Sequence, residues 1–236
     1  MLAGNWPSLS QPIERLARIC RERNILFHTD ACQSFGKLPL DVSAIPADLV
    51  TVNAHKIYGP KGVAALYVRE GVRLVPLLHG GGHERGLRSA TENVPGIVGF
   101  ARAAEIAMEE QPVENPRLSR LRDRIVYEVF EALPNAYLNG HLSLRLPGHV
   151  NLGFEGLEGE AIKLLLELNA LGIAVSSGSA CSSNDSENRP SHVLTAIGKN
   201  PVEARGALRI SLGRFNTKEE VDYLLQSLFQ TLGALK

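Results

Sequence analysis

Apolar residues recur along this chain in two rhythms. Ile13, Leu16, Ala17 and Cys20 fall at i, i+3, i+4 and i+7, with Ser10 ahead of them and Pro12 in the first turn, which predicts an amphipathic helix. ILFHTDA (Ile25–Ala31) reads as the buried strand that follows, and DLVTV (Asp48–Val52) and GVAALYV (Gly62–Val68) as two more, separated by the loop NAHKIYGPK. Continuous apolar strands that helices must cover predict an α/β fold with a mainly parallel sheet. A helical pattern rich in alanine and isoleucine runs from Asn93 to Glu110, and QPVENP (Gln111–Pro116) is expected to break it. A domain boundary is placed there, giving domains 1–112 and 113–236.

The second half predicts a helix near Leu118–Leu133, short strands at AYLNG (Ala136–Gly140) and HVNLGF (His149–Phe154), and a helix from Glu158 to Leu171. Strands GIAVS (Gly172–Ser176) and LRISLG (Leu208–Gly213) come next. Thr217 and Glu220 have the spacing of a capping box that opens the last helix, VDYLLQSLFQTL. This is a small α+β domain.

Composition narrows the classes. At 236 residues and 44% hydrophobic content the chain can bury a real core. Lys+Arg and Asp+Glu both total 25, so no basic field exists to attract nucleic acid or an anionic membrane. The start, MLAGNWPSLS, lacks the basic and apolar stretches of a signal peptide, and a cytoplasmic location is expected. Three cysteines, Cys20, Cys32 and Cys181, without CxxC spacing argue against a disulfide framework or a structural zinc site. Cys20 lies on an apolar helix face and is expected to be buried.

Candidate chemistry gathers at two stretches. In NAHKIYGPKG (Asn53–Gly62) a lysine follows a strand end, where open α/β folds bind ligands. A partly desolvated Lys56 amine there can form a Schiff base with an aldehyde. HTDACQS ends the preceding strand, so Asp30 should reach the same edge. A carboxylate there can keep the ring nitrogen of pyridoxal phosphate protonated, and the Gln33 amide can donate to its phenolic oxygen. The other stretch is SSGSACSS (Ser176–Ser183), which sets Cys181 among small polar residues, a loop composition in which an exposed thiol calls for a use. His79 and His83 in HGGGHE have metal-ligand spacing, but consecutive glycines oppose the helix that would present them, and no metal is expected.

HTDACQS, NAHKIYGPKGVAALYV, HGGGHERGLRSATEN, SSGSACSS and LRISLGRFNT, in that order, resemble the pyridoxal phosphate dependent cysteine desulfurases. The likeness is to the long-loop group that supplies sulfur for iron–sulfur clusters and tRNA thiolation. It implies the C-terminal part of a fold type I large domain followed by the small domain. It further implies that Lys56 carries the cofactor and shuttles protons, that Asp30 pairs with the pyridine nitrogen and that Gln33 meets the phenolic oxygen. Asn53 and His55 would contact the phosphate, and Thr91 would reach the phosphate of a partner subunit, which implies a homodimer. Arg209 matches the arginine that binds the carboxylate of L-cysteine, and Asn5 matches an asparagine at the cofactor and substrate. Cys181 matches the nucleophile that takes sulfur as a persulfide, leaves alanine and passes the sulfur to an acceptor protein, an iron–sulfur scaffold or a tRNA-thiolation enzyme.

Two residues depart from the family pattern near the phosphate: Asn53 stands where serine is usual, and Ala90 where glycine is usual before Thr91. The family's upstream phosphate loop and ring-stacking histidine have no counterpart here, so the chain reads as a C-terminal portion. Alone it is expected to be aggregation-prone or dependent on a complementary N-terminal fragment, with little or no activity. An inactive half-subunit acting as a binding module, or a related selenocysteine or cystine lyase, are the alternative readings; a lyase need not carry the thiol of Cys181.

Overall fold

The computed structural model describes residues 11–177 and 190–235, which divide into two compact units, Gln11–Pro112 and Val113 onward. In the first, α1 (Ile13–Glu22) leads to β1 (His28–Asp30), β2 (Leu49–Asn53) and β3 (Ala64–Val68), and α2 (Val94–Ala132) begins. The sheet order is β1-β2-β3, with β1 parallel and β3 antiparallel to β2. The expected mainly parallel sheet is therefore mixed, because the short GPKG turn after the Lys56 segment returns the chain as a hairpin rather than through a crossover helix.

Apolarity along the chain overstated burial at the edges of this sheet. Ile25 and Leu26, expected inside a strand, are 54% and 60% exposed, because pairing starts only at Phe27, whose carbonyl accepts from Asp48 and Leu49. Ala64, Ala65, Leu66 and Tyr67 are exposed on β3, which among the described residues pairs with β2 alone. Cys20 is partly exposed rather than buried. Ile13 and Ala17 instead carry the buried face of α1, and Ile13 clusters with Ala31, Ala47 and Val50.

Asp48 ties the first sheet together. Its buried carboxylate accepts from the Phe27 amide at 2.6 Å and from Arg69 Nε at 2.7 Å, linking the approach to β1 with the exit from β3. Burial alone raises its pKa, but the Phe27 amide and the bonded, charged Arg69 outweigh that and hold it below the usual carboxylate range. A carboxylate depressed in the folded state contributes stability above its unfolded pKa and loses it as pH falls toward the folded value. Asp48→Asn should thus cost about 2 kcal/mol at pH 7, and the gap between variant and parent should shrink below about pH 4. Urea melts at both pH values check this; a gap that widened on acidification would contradict it.

The helix α2 does not stop at QPVENP. It runs unbroken from Val94 to Ala132 through Pro112 and Pro116. Each proline removes one backbone hydrogen bond, but both are exposed, so water can reach the freed carbonyls.

In the second unit β4 (Ala136–Leu138), β5 (His149–Phe154) and β6 (Leu208–Ser211) form an antiparallel sheet in that order. α3 (Ala161–Ala170) and α6 (Lys218–Ala234) cover one face, with Val150, Leu152, Leu208 and Ile210 packed against Leu164, Leu168, Leu225 and Leu228. Thr217 and Glu220 form the expected capping box on α6. GIAVS is not a strand: Ile173 N–H instead turns back to the Leu168 carbonyl, and Ser176 alone bridges to Arg209. Two short helices, α4 (His192–Ala196) and α5 (Pro201–Arg205), had not been expected, and Asn200 and Glu203 cap the second reciprocally. No helix among the described residues is long and apolar enough to cross a membrane.

Candidate functional site

Parallel pairing of β1 with β2, Asp30 opposite Thr51, brings the ends of both strands to one edge of the first sheet. Asp30 is the last residue of β1; Asn53 is the last of β2, and His55 and Lys56 lie in the single 3-10 turn His55–Ile57 that follows. Close packing fixes that turn. A Cβ on Gly59 would stand 2.9 Å from the Ala103 Cβ of α2, and one on Gly36, where φ is +71°, 2.8 Å from Ile57. Ile57 and Ala54 are buried against Phe100 and Ala107. Lys56 is thereby held on a rigid base, its N–H donating to Asn53 Oδ1 at 3.3 Å.

The electrostatics of this edge are specific. Asp30 Oδ1 accepts from the Cys32 amide at 2.8 Å. Burial alone raises the Asp30 pKa, but the Cys32 amide and thiol and the Lys56 charge outweigh it and keep the carboxyl below its usual range. Cys32 responds in the opposite sense: burial and its contact with Asp30 push the thiol up to about 11, so at neutral pH it is protonated and a poor nucleophile. Lys37, which the sequence reading did not place in the site, is lowered to about 8 by burial and by the Lys56 charge. Asp30, Cys32, Asn53, Lys37 and Lys56 thus form one electrostatic cluster around an ionised carboxylate and two amines.

Gln33 occupies the turn after β1 and is partly buried, while His55 is exposed. Thr91 is exposed in the loop before α2, whose first turn Asn93 caps by accepting the Gly96 amide at 3.2 Å. Next to Thr91, Ala90 adopts φ 144°, a region that costs a non-glycine residue about 1–3 kcal/mol. This is the position at which the resemblance leads one to expect glycine. Ala90→Gly should raise the melting midpoint by about 2–4 °C once the greater unfolded-state freedom of glycine is subtracted; a lower midpoint in a thermal melt would contradict the strain.

In the second unit Arg209 sits on β6 and is partly buried, which lowers the pKa of its guanidinium. Its backbone exchanges both hydrogen bonds with Ser176, 2.6 and 3.1 Å, so the carboxylate-binding candidate anchors the first residue of SSGSACSS. Cys181 and Asn5 lie outside the described residues. His79 and His83 lie on the loop before the 3-10 turn Glu84–Gly86, and no cluster of metal-ligating side chains occurs among the described residues.

Known proteins match the chain over most of its length. The aminotransferase class-V family matches residues 4–224. A cysteine desulfurase IscS of Clostridium botulinum is 48% identical over 230 residues, covering 97% of this chain and 57% of the relative. A solved NifS-like protein is 40% identical with a TM-score of 0.87 over 99% of this chain and 60% of its own. The protein SspA in complex with cysteine is 37% identical with a TM-score of 0.70, over 92% of this chain and 58% of its own. The chain therefore spans little more than half the length of the relatives it matches, and it belongs to the class-V aminotransferase family.

Proposed function

We propose that this chain is part of a pyridoxal phosphate dependent cysteine desulfurase, which converts L-cysteine to L-alanine and loads the sulfur on Cys181. The observation that carries the reading is the nearness of a half-buried lysine, Lys56, to an ionised Asp30 at adjacent strand ends. That donor set suits the cofactor: an amine for its aldehyde and a carboxylate for its ring nitrogen. When bound, pyridoxal phosphate supplies an electron sink that weakens bonds at the substrate carbon.

The chain's own residues do the rest. Asp30 would stay charged to meet the ring nitrogen, Gln33 would donate to the phenolic oxygen, and Asn53 and His55 would hold the phosphate with Thr91 of a second copy. Arg209 and Asn5 hold the substrate, the guanidinium taking the carboxylate in a two-point grip. Lys56 moves the proton at the reacting carbon. Cys181, as a thiolate, takes the sulfur: its S–S bond forms as the substrate's C–S bond breaks, leaving a persulfide and alanine. The persulfide then passes to a sulfur-acceptor protein, an iron–sulfur scaffold or a tRNA-thiolation enzyme. A homodimer and a reducing, cytoplasmic setting complete the reading.

The test is to supply the full-length protein with pyridoxal phosphate and L-cysteine and to follow alanine. Stoichiometric alanine with persulfide supports the reading, whereas pyruvate and ammonia in place of alanine would replace it with a different elimination.

A further inference from the structure

Between the two strand ends of the first sheet lies a thiol that the proposed reaction leaves unused. Cys32, in the turn after β1, is buried, and so is Asn53 at the end of β2. Each residue serves one of the two groups that would hold the cofactor. The Cys32 amide donates to Asp30 Oδ1 at 2.8 Å, and Asn53 Oδ1 accepts from the Lys56 N–H at 3.3 Å. Bonds of this kind, from a side-chain oxygen to a nearby backbone N–H, close short turns.

The two residues also meet each other. The Cys32 thiol donates to the Thr51 carbonyl at 3.8 Å, the same oxygen that takes the Ala31 N–H at 2.8 Å, which places the sulfur between the strands. It makes side-chain hydrogen bonds with the Asp30 carboxylate and with Asn53 as well. Burial is the main reason that the thiol's pKa is raised. Asp30 adds to the rise, as an acceptor of S–H must, while Asn53 opposes it, as an N–H aimed at sulfur must. With Oδ1 turned to Lys56, the Asn53 amide nitrogen is the end that faces the sulfur. Donors and acceptors therefore match along the whole path, from Lys56 N–H to Asn53, from Asn53 N–H to the Cys32 sulfur, and from Cys32 to Asp30.

We propose that Cys32 and Asn53 are paired positioning residues that hold Asp30 and Lys56 at a set separation, so that one cofactor meets the carboxylate and the amine together. Sulfur suits the place, because a weak donor and weak acceptor joins the two turns without a charge that would compete for the Asp30 carboxylate. Asn53 stands where serine is usual. Its longer side chain carries an acceptor for Lys56 and a donor for Cys32 at once, and the second amide hydrogen remains for the phosphate. The proposal rests on the reading of Lys56 and Asp30 as cofactor residues.

The test titrates the cofactor-free, full-length protein with pyridoxal, which keeps the aldehyde and ring nitrogen but lacks the phosphate, and reads binding from the shift of its visible absorbance. Two variants first check the reading beneath the proposal. Lys56→Ala should abolish the shift and Asp30→Ala should weaken binding about tenfold; unchanged binding in either would remove that basis. Given both losses, Cys32→Ala and Asn53→Ala should each weaken pyridoxal about three- to fivefold, and the double variant should lose no more than about twofold beyond the more affected single. Cys32→Ser, whose hydroxyl also donates and accepts, should stay within about twofold of the parent. A loss from Asn53→Ala seen with pyridoxal phosphate but not with pyridoxal would make Asn53 a phosphate ligand only and overturn the pairing. Unchanged pyridoxal affinity, additive losses, or a loss in Cys32→Ser equal to that in Cys32→Ala would also overturn it. Should Asn53→Ala fail to fold, Cys32→Ala carries the test, since it removes only the sulfur and keeps the N–H on Asp30; retained pyridoxal affinity in that variant would defeat the proposal.

Discussion

Lys56→Ala, made in the full-length protein, should lose the borohydride-trapped cofactor and lower desulfurase turnover by about 10³-fold or more. The expectation follows from placement. Among the described residues, Lys56 alone combines a position just after a strand end, an N–H tied to Asn53, and electrostatic contact with Asp30. Lys37 is the serious competitor, because its amine, lowered to about 8, is partly neutral under ordinary conditions and close enough to feel the Lys56 charge. Peptide mapping of the trapped cofactor distinguishes the two. Label on Lys37 in the parent protein would overturn the assignment, and label appearing on Lys37 only after Lys56→Ala would show a substitute amine without changing it.

Cys181→Ala should separate sulfur transfer from substrate binding. Arg209, Lys56 and Asp30 remain in this variant, so L-cysteine should still bind and perturb the cofactor spectrum. Alanine formation should fall by about 10²-fold or more, with no protein persulfide. Cys32 offers no substitute: it is buried, shares its thiol with Asp30 and the Thr51 carbonyl, and its pKa near 11 keeps it protonated. Unimpaired turnover in Cys181→Ala would point instead to a lyase that needs no thiol.

How much of this could be read beforehand depended on range along the chain. β5 matches the run His149–Phe154 end to end, and the Thr217–Glu220 cap opens α6, because each is written within a few consecutive residues. Asn200, Pro201 and Glu203 carry an equally local cap signal for α5, but a helix of five residues is too short to leave a periodic apolar pattern. QPVENP misled because propensity counts the cost of each proline but not the water that satisfies the freed carbonyls of an exposed helix. GVAALYV shows that an apolar run predicts a strand without saying whether anything covers it.

The same distinction applies to the site. Lys56 and Asp30 were legible because each closes a strand, and parallel neighbours bring such ends together. Lys37 entered the cluster through the tertiary approach of Gly36 to Ile57, which no spacing announces. Cys32 and Asn53 lie far apart in sequence and meet only through the register of β1 and β2. A one-residue slip would have turned Asn53 toward the other face. Ala90 shows the reverse case, where a departure noticed as a letter in the sequence acquires a physical cost once φ 144° is known.

The central claim is that a sulfur atom moves from L-cysteine to Cys181. Its most direct measurement is single-turnover mass spectrometry of the full-length protein after mixing with L-cysteine, with alkylation to preserve persulfides and alanine counted in the same sample. The account predicts one added sulfur on the peptide bearing Cys181 for each alanine released, and none on those bearing Cys20 or Cys32. Alanine and free sulfide appearing together while Cys181 stays unmodified throughout the turnover would contradict it.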